Sequence, residues 1–153
     1  MLNFDEKRYL GIQAGAVALT GPIDEIVQTQ LAAGKKNLFF VGSGGAGILM
    51  EPAVRLLQTR STFPTFHEMP AELVEHGSVH LGADSLVVIP SLSGTTLESI
   101  QALVYAQGLG ATVLTLTGNA DAPLATQADI NLVAHAADDT SCESFYVQSL
   151  MIA

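Results

Sequence analysis

Asp84-Ser-Leu-Val-Val-Ile-Pro-Ser-Leu-Ser-Gly-Thr-Thr-Leu-Glu98 is the stretch that decides the fold. Ser85 to Ile89 holds an unbroken Leu-Val-Val-Ile run between an acid and a proline, the pattern of a strand buried on both faces. Ser91 to Thr96 then puts four hydroxyls and one glycine into six residues. After it, Leu97, Ile100, Leu103 and Val104 recur at helical spacing as far as Gly108-Leu-Gly110. A strand that runs through a polar loop into a helix is the building unit of a parallel α/β sheet. The loop itself is either ordinary turn chemistry or a cradle for an anion.

The same unit recurs upstream. Asn37 to Val41 reads as a buried strand, Gly42-Ser-Gly-Gly-Ala-Gly47 follows at once, and Leu49, Ala53, Leu56 and Leu57 mark the next helix. Phe63 to Glu68 reads as a short strand and Pro70 to Glu75 as a helical turn. Downstream, Ala111 to Leu116 and Ile130 to Val133 read as strands, with a short helix at Ala122 to Gln127 between them. Pro22 to Ala33 carries the stripe Ile23, Ile26, Val27 and Leu31, opened by proline and stopped by Gly34. The first twenty residues are weakly patterned and predict an arm or a short helix.

Residues 1–36 are therefore expected as an N-terminal arm and helix, and 37–153 as one α/β domain. Its predicted form is a three-layer α/β/α sandwich around a five-stranded parallel sheet of order 2-1-3-4-5. That order sets the loops after strands one and three side by side at the carboxyl edge of the sheet, where such folds bind ligands. The last segment, Ser141 to Ala153, is apolar nearly all round and predicts a buried helix. Leaving Phe145, Val147, Leu150, Met151 and Ile152 in water would forfeit ~1.5–3 kcal/mol apiece. The helix is therefore expected at an interface, against a partner chain or a continuation of this one.

At 153 residues the chain suits a single domain, and 48% apolar against 14% charged residues argues against disorder. No apolar run approaches the ~18 residues of a membrane span. The opening MLNFDEKRYLG has no apolar signal core. Cys142 is the one cysteine, so a cytoplasmic setting is expected. All six bases lie in the first 60 positions, and from Ser61 onward there are ten acids and no Lys or Arg. Such a chain offers no basic face, so neither nucleic acid nor membrane is an expected partner. A small phosphate ester stays compatible, because backbone amides and hydroxyls at a helix N-terminus hold one without Lys or Arg.

Gly42-Ser-Gly-Gly-Ala-Gly47 satisfies G-x-G-x-x-G after a strand, and Glu68 stands where a ribose-binding acid would. A dinucleotide-binding Rossmann domain is thus one reading, and a purely structural Gly-rich turn another. Ser91-Leu-Ser-Gly-Thr-Thr96 favours a third. Its Ser and Thr hydroxyls and the flexible Gly94 face the same sheet edge, and a nicotinamide site needs no second hydroxyl nest. Thr95 or Thr96 also suits the N-cap of the following helix, with Glu98 in its first turn.

Ser91-Leu-Ser-Gly-Thr-Thr-Leu-Glu98, set after a Gly/Ser loop and a third strand, resembles the S-x-S-G-x-T-x-E motif of the sugar isomerase (SIS) domain. The resemblance runs from Asn37 to the end and implies a flavodoxin-like SIS fold. It is strongest to the first half of double-SIS proteins, among them fructosamine-6-phosphate deglycases and the isomerase part of glucosamine-6-phosphate synthase. It implies phosphate held at Ser91, Ser93 and Thr96 with Gly94 between them, sugar contacts at Gly42, Ser43 and Gly44, and a further contact at Ser141. Leu92 stands where the synthases have Gln. The implied activity is deglycase or aldose–ketose isomerase chemistry on a fructosamine 6-phosphate or related sugar 6-phosphate. The alternative is a phosphosugar-sensing regulatory module, for which residues 1–36 are too short and too balanced in charge to supply a DNA-binding domain.

Aldose–ketose chemistry needs a base and an acid. In double-SIS relatives both come from the second half, so this chain is expected to be catalytically incomplete and completed by a second SIS half or a homodimer. The catalytic group is unassigned. His67 and Glu68, at the end of the second strand, are the candidate acid/base pair. His76 and His80 read as surface residues and Cys142 as a packing residue. No cluster has zinc spacing and the resemblance implies no cofactor.

Overall fold

The computed structural model describes residues 4–134 and 142–153. In chain order the elements are α1 (Glu6–Val17), α2 (Thr20–Ala32), β1 (Asn37–Val41), α3 (Gly44–Arg60), β2 (Thr65–Glu68) and α4 (Pro70–His76). They continue with β3 (Ser85–Ser91), α5 (Leu97–Gly108), β4 (Thr112–Thr117), α6 (Pro123–Gln127), β5 (Ile130–Val133) and α7 (Ser144–Ile152). The five strands form one parallel sheet in the order β2-β1-β3-β4-β5, as expected. All seven residues of β3 are buried. This is what Leu86-Val-Val-Ile89 requires of a central strand covered on both faces.

Strand periodicity splits the core in two. Leu38, Phe40, Leu86, Val88, Leu114 and Leu116 face α2, α3 and α7, where Ile23, Met50, Ala53, Val54, Phe145 and Ile152 pack against them. Phe39, Val41, Val87, Ile89 and Val113 face α4, α5 and α6, meeting Leu73, Ala102, Leu103, Ala106 and Leu124. Phe40 is fully buried, so Phe40→Ala would cost ~3–5 kcal/mol.

The N-terminal segment is two helices rather than an arm and one helix. Asp5 caps α1 by accepting from the Arg8 amide at 2.9 Å, and Glu6 in the first turn favours the helix dipole. Gly11 and Gly15 interrupt any apolar stripe, and only Ile12 and Ala16 of this helix are buried. These two helices also change the expectation for α7. Phe145 and Ile152 are buried within the chain itself, Ser149 Oγ lies 3.5 Å from the Leu49 carbonyl of α3, and Thr20 Oγ1 lies 3.1 Å from Met151 Sδ. Helices α1, α2 and α3 thus cover the helix that was expected to need a partner. No described helix is long and apolar enough to cross a membrane.

Candidate functional site

Because β1 turns back to β2 on one side and the chain returns to β3 on the other, the loops after Val41 and Ser91 lie together at the carboxyl edge. Between them is a cavity of about 280 Å³ lined by Ser43, Gly45, Ala46, Pro90, Ser91, Leu92, Ser93, Thr96, Ser99, Cys142 and Phe145. The residues name its architecture. Ser43 and Ala46 belong to the start of α3, Thr96 to the start of α5, and Cys142 and Phe145 to the start of α7. Three helices of 17, 12 and 9 residues therefore begin at one cavity. Among the described residues none of these helices has a side-chain cap, which leaves their first-turn amides and positive dipole ends facing the cavity.

The hydroxyl loop is arranged by its own hydrogen bonds. Ser91 Oγ accepts from the Gly94 amide at 3.2 Å and pairs with Thr96 Oγ1 at 3.1 Å. Ser93 Oγ accepts from both the amide and the hydroxyl of Thr95, at 3.3 and 3.0 Å. Thr96 occupies the N-cap position of α5 without making the capping bond. Its hydroxyl goes to Ser91 instead. A hydroxyl that accepts still has its own proton to give, so Ser93 and one of the Ser91–Thr96 pair retain an O–H for a ligand. Gly94 lies beneath this loop rather than in the cavity wall. Its φ is +66°, and a Cβ there would overlap Ala122.

The Gly-rich loop is the partition between two spaces. A Cβ on Gly42 would stand 2.8 Å from Gly47 Cα, so the outer glycines of the motif are required by a self-contact that needs no bound nucleotide. Ser43 faces the hydroxyl cavity. Gly42 and Gly44 instead border a smaller one of about 110 Å³, with Gly47, Ile48, His67, Glu68 and Met69. The structure therefore brings Ser43, Ser91, Ser93 and Thr96 together, and sets Gly42, Gly44, His67 and Glu68 on the far side of the loop. Ser141 and His135 lie outside the described residues.

His67 and Glu68, the candidate acid/base residues, both border the smaller cavity. Phe66 stacks on Phe39 at 4.6 Å and shares its face of the sheet. Strand alternation then turns His67 to the opposite face, toward α3, and Glu68 back again. The partner of His67 is Glu51 of α3, with Nδ1 2.7 Å from Oε2. Reading the sequence missed Glu51 because the contact joins two elements 16 residues apart in the chain. His80 stacks on Phe66 at 4.8 Å and His76 is exposed at the end of α4, so both are surface residues as expected. Cys142 is among the residues that line the hydroxyl cavity. No cluster of three or more His, Cys, Asp or Glu suited to a metal occurs among the described residues. Among the described residues, neither cavity is lined by Lys or Arg.

Comparison with known proteins agrees with the fold. The family model for the SIS domain matches residues 31–153. Arabinose 5-phosphate isomerase KdsD of Pseudomonas aeruginosa is 34% identical over 131 residues, covering 82% of this chain and 40% of that protein. Fructosamine deglycase FrlB of Bacillus subtilis is 33% identical over 93 residues, covering 60% of this chain and 28% of that one. The chain thus spans less than half the length of either curated relative. Among solved structures, the C-terminal domain of glucosamine-fructose-6-phosphate aminotransferase from Francisella tularensis shares the fold, with a TM-score of 0.72 and 16% identity. That match covers 98% of this chain and 46% of the other. With the family model spanning the sheet, both loops and α7, this chain belongs to the SIS domain family.

Proposed function

We propose that the chain binds a sugar 6-phosphate with its phosphate among Ser43, Ser91, Ser93 and Thr96, and forms the substrate-holding part of an isomerase or deglycase. The observation that carries this reading is the meeting of three helix N-termini at a hydroxyl-lined cavity, with no side-chain cap and no Lys or Arg in its wall among the described residues. A phosphate dianion there is stabilised by amides, hydroxyl protons and dipole ends, each dipole worth ~0.3–1 kcal/mol or somewhat more when partly buried. The dinucleotide alternative is disfavoured by the larger cavity lying on the β3 side of the Gly-rich loop, away from Glu68.

The substrate class follows from the relatives, one named an arabinose 5-phosphate isomerase and one a fructosamine deglycase. For this chain we favour a fructosamine 6-phosphate or related sugar 6-phosphate, with the proton transfer between C1 and C2 completed by a second SIS half or a neighbouring subunit. Among the described residues that line the hydroxyl cavity, Cys142 is the one titratable side chain, and none is a carboxylate or imidazole base for that step. The test is incubation of the complete protein with fructoselysine 6-phosphate, which should release glucose 6-phosphate. Interconversion of fructose and glucose phosphates without release would assign the plain isomerase. Protection from heat by NAD or NADP and by no phosphosugar would overturn the reading.

A further inference from the structure

We propose that the cavity of about 110 Å³ at the end of β2 receives a protonated amine of the ligand and pairs it with Glu68, so that this chain selects an amine-bearing sugar 6-phosphate over a plain one. The proposal rests on the phosphosugar reading above and names the class within it. An unspent carboxylate is the first support. Among the described residues, the Glu68 side chain has no hydrogen bond and no ion pair, although it borders a cavity. The residue itself is firmly held. Val41 is its register partner on β1, and the Gly42 amide donates to its carbonyl at 3.2 Å. Glu68 is thereby fixed against the Gly-rich loop that divides the two cavities.

Charge is the second support. The other ionisable side chain at this cavity is His67, whose Nδ1 is paired with Glu51 at 2.7 Å. A protonated imidazole is balanced by Glu51, and a neutral one brings no charge. In either state the Glu68 carboxylate is left uncompensated, because no described Lys or Arg lines the cavity. A sugar hydroxyl also donates to a carboxylate, but it covers the charge without balancing it. An ammonium does both, in a charge-assisted hydrogen bond. This chain also carries a formal net charge of -9, which repels a phosphate dianion at long range. An amine on the same ligand lowers that repulsion.

Shape is the third support. Phosphate and the C1 substituent stand at opposite ends of a hexose 6-phosphate, and the two cavities stand on opposite sides of the Gly-rich loop. A Cβ on Gly44 would meet nothing within 4 Å, so the loop leaves room where it borders the Glu68 cavity. Ile48 and Met69 complete its rim and are 72% and 49% exposed. They form an apolar lip suited to the aliphatic part of a substituted amine.

The experiment is calorimetric titration of the full chain with three ligands that differ only at C1. They are fructose 6-phosphate, 1-amino-1-deoxyfructose 6-phosphate and the N-acetyl derivative of the latter. The parent should bind the amine ~10-fold or more tightly than either uncharged counterpart, and this comparison needs no variant. Glu68→Gln should bring the affinities for amine and hydroxyl within ~2-fold of each other. Glu75→Gln, which removes the same charge from an exposed position of α4, should keep the preference. Equal affinity of the parent for amine and hydroxyl overturns the proposal and leaves the phosphosugar reading intact. A preference shared by the N-acetyl derivative makes size rather than charge the cause and overturns the pairing. A preference that survives Glu68→Gln, or is lost equally in Glu75→Gln, overturns the assignment to Glu68. A parent that binds none of the three ligands removes the phosphosugar reading and this proposal with it.

Discussion

His67 Nδ1 lies 2.7 Å from Glu51 Oε2, which ties the end of β2 to helix α3. The Glu51 side chain is 52% exposed, and pairs in such surroundings are worth ~0–1 kcal/mol. A double-mutant cycle of Glu51→Gln and His67→Gln, read by thermal melting, should give a coupling within that range. A coupling several-fold larger would make the pair a structural clamp instead.

Gly94 is where the hydroxyl loop depends on a missing side chain. Its φ of +66° and the overlap of any Cβ with Ala122 mean that Gly94→Ala must displace the loop from α6. Its amide donates to Ser91 Oγ and its carbonyl accepts from the Leu124 amide. The substitution should cost ~2 kcal/mol or more in urea unfolding. A loss under ~0.5 kcal/mol, the level of an ordinary surface change, would show that the loop tolerates another path.

Gln148 of α7 is fully buried, and neither its Oε1 nor its Nε2 has a hydrogen-bond partner. Leaving such a group unsatisfied costs ~1–3 kcal/mol. Gln148→Met keeps the shape and removes the polar atoms, so it should raise the melting temperature. Destabilisation would mean that the amide is satisfied in solution. Ser144 Oγ of the same helix is buried and unpartnered too.

At the opposite edge of the sheet, Lys36 Nζ lies 2.6 Å from Asp84 Oδ2. The hydrogen bond and charge of Lys36 hold the Asp84 carboxyl below its ordinary value. A carboxyl depressed in the folded state stabilises above its unfolded pKa, and that contribution is lost as pH falls through the folded value. The melting-temperature gap between the parent and Asp84→Asn should therefore be constant from neutral pH to about 4 and close below it. A gap that widens in acid would reverse the sign. Phosphosugar affinity should not change, since Asp84 precedes β3 and the site follows it.

The sheet was legible because its strands announce themselves twice, by apolar runs and by the loops that end them. Ser85 to Ile89 and the glycine and hydroxyl loops sufficed to order β1 beside β3. Helix α1 was not legible, because it buries only Ile12 and Ala16 and gains its stability from a cap and from covering α7. Within the site, Ser43, Ser91, Ser93 and Thr96 meet in one cavity because a loop motif keeps its own residues together. The contact of His67 with Glu51 was not legible for the converse reason. Adjacent residues of a strand face opposite ways, and the true partner, Glu51, is set by how α3 packs across β2.

Calorimetric titration with fructose 6-phosphate, comparing the parent chain with Ser91→Ala/Ser93→Ala and with Ser93→Ala alone, tests phosphate binding most directly. Each hydrogen bond to a charged ligand is worth ~1.5–3 kcal/mol, so the double variant should lose ~100-fold or more in affinity. Ser93→Ala, an exposed change that should leave the melting temperature nearly unmoved, should lose ~10-fold. Fructose without the phosphate should bind neither variant nor parent measurably. Equal affinity of the parent and Ser93→Ala, with the double variant folded and also unchanged, would contradict the account and leave the hydroxyl loop as turn chemistry alone.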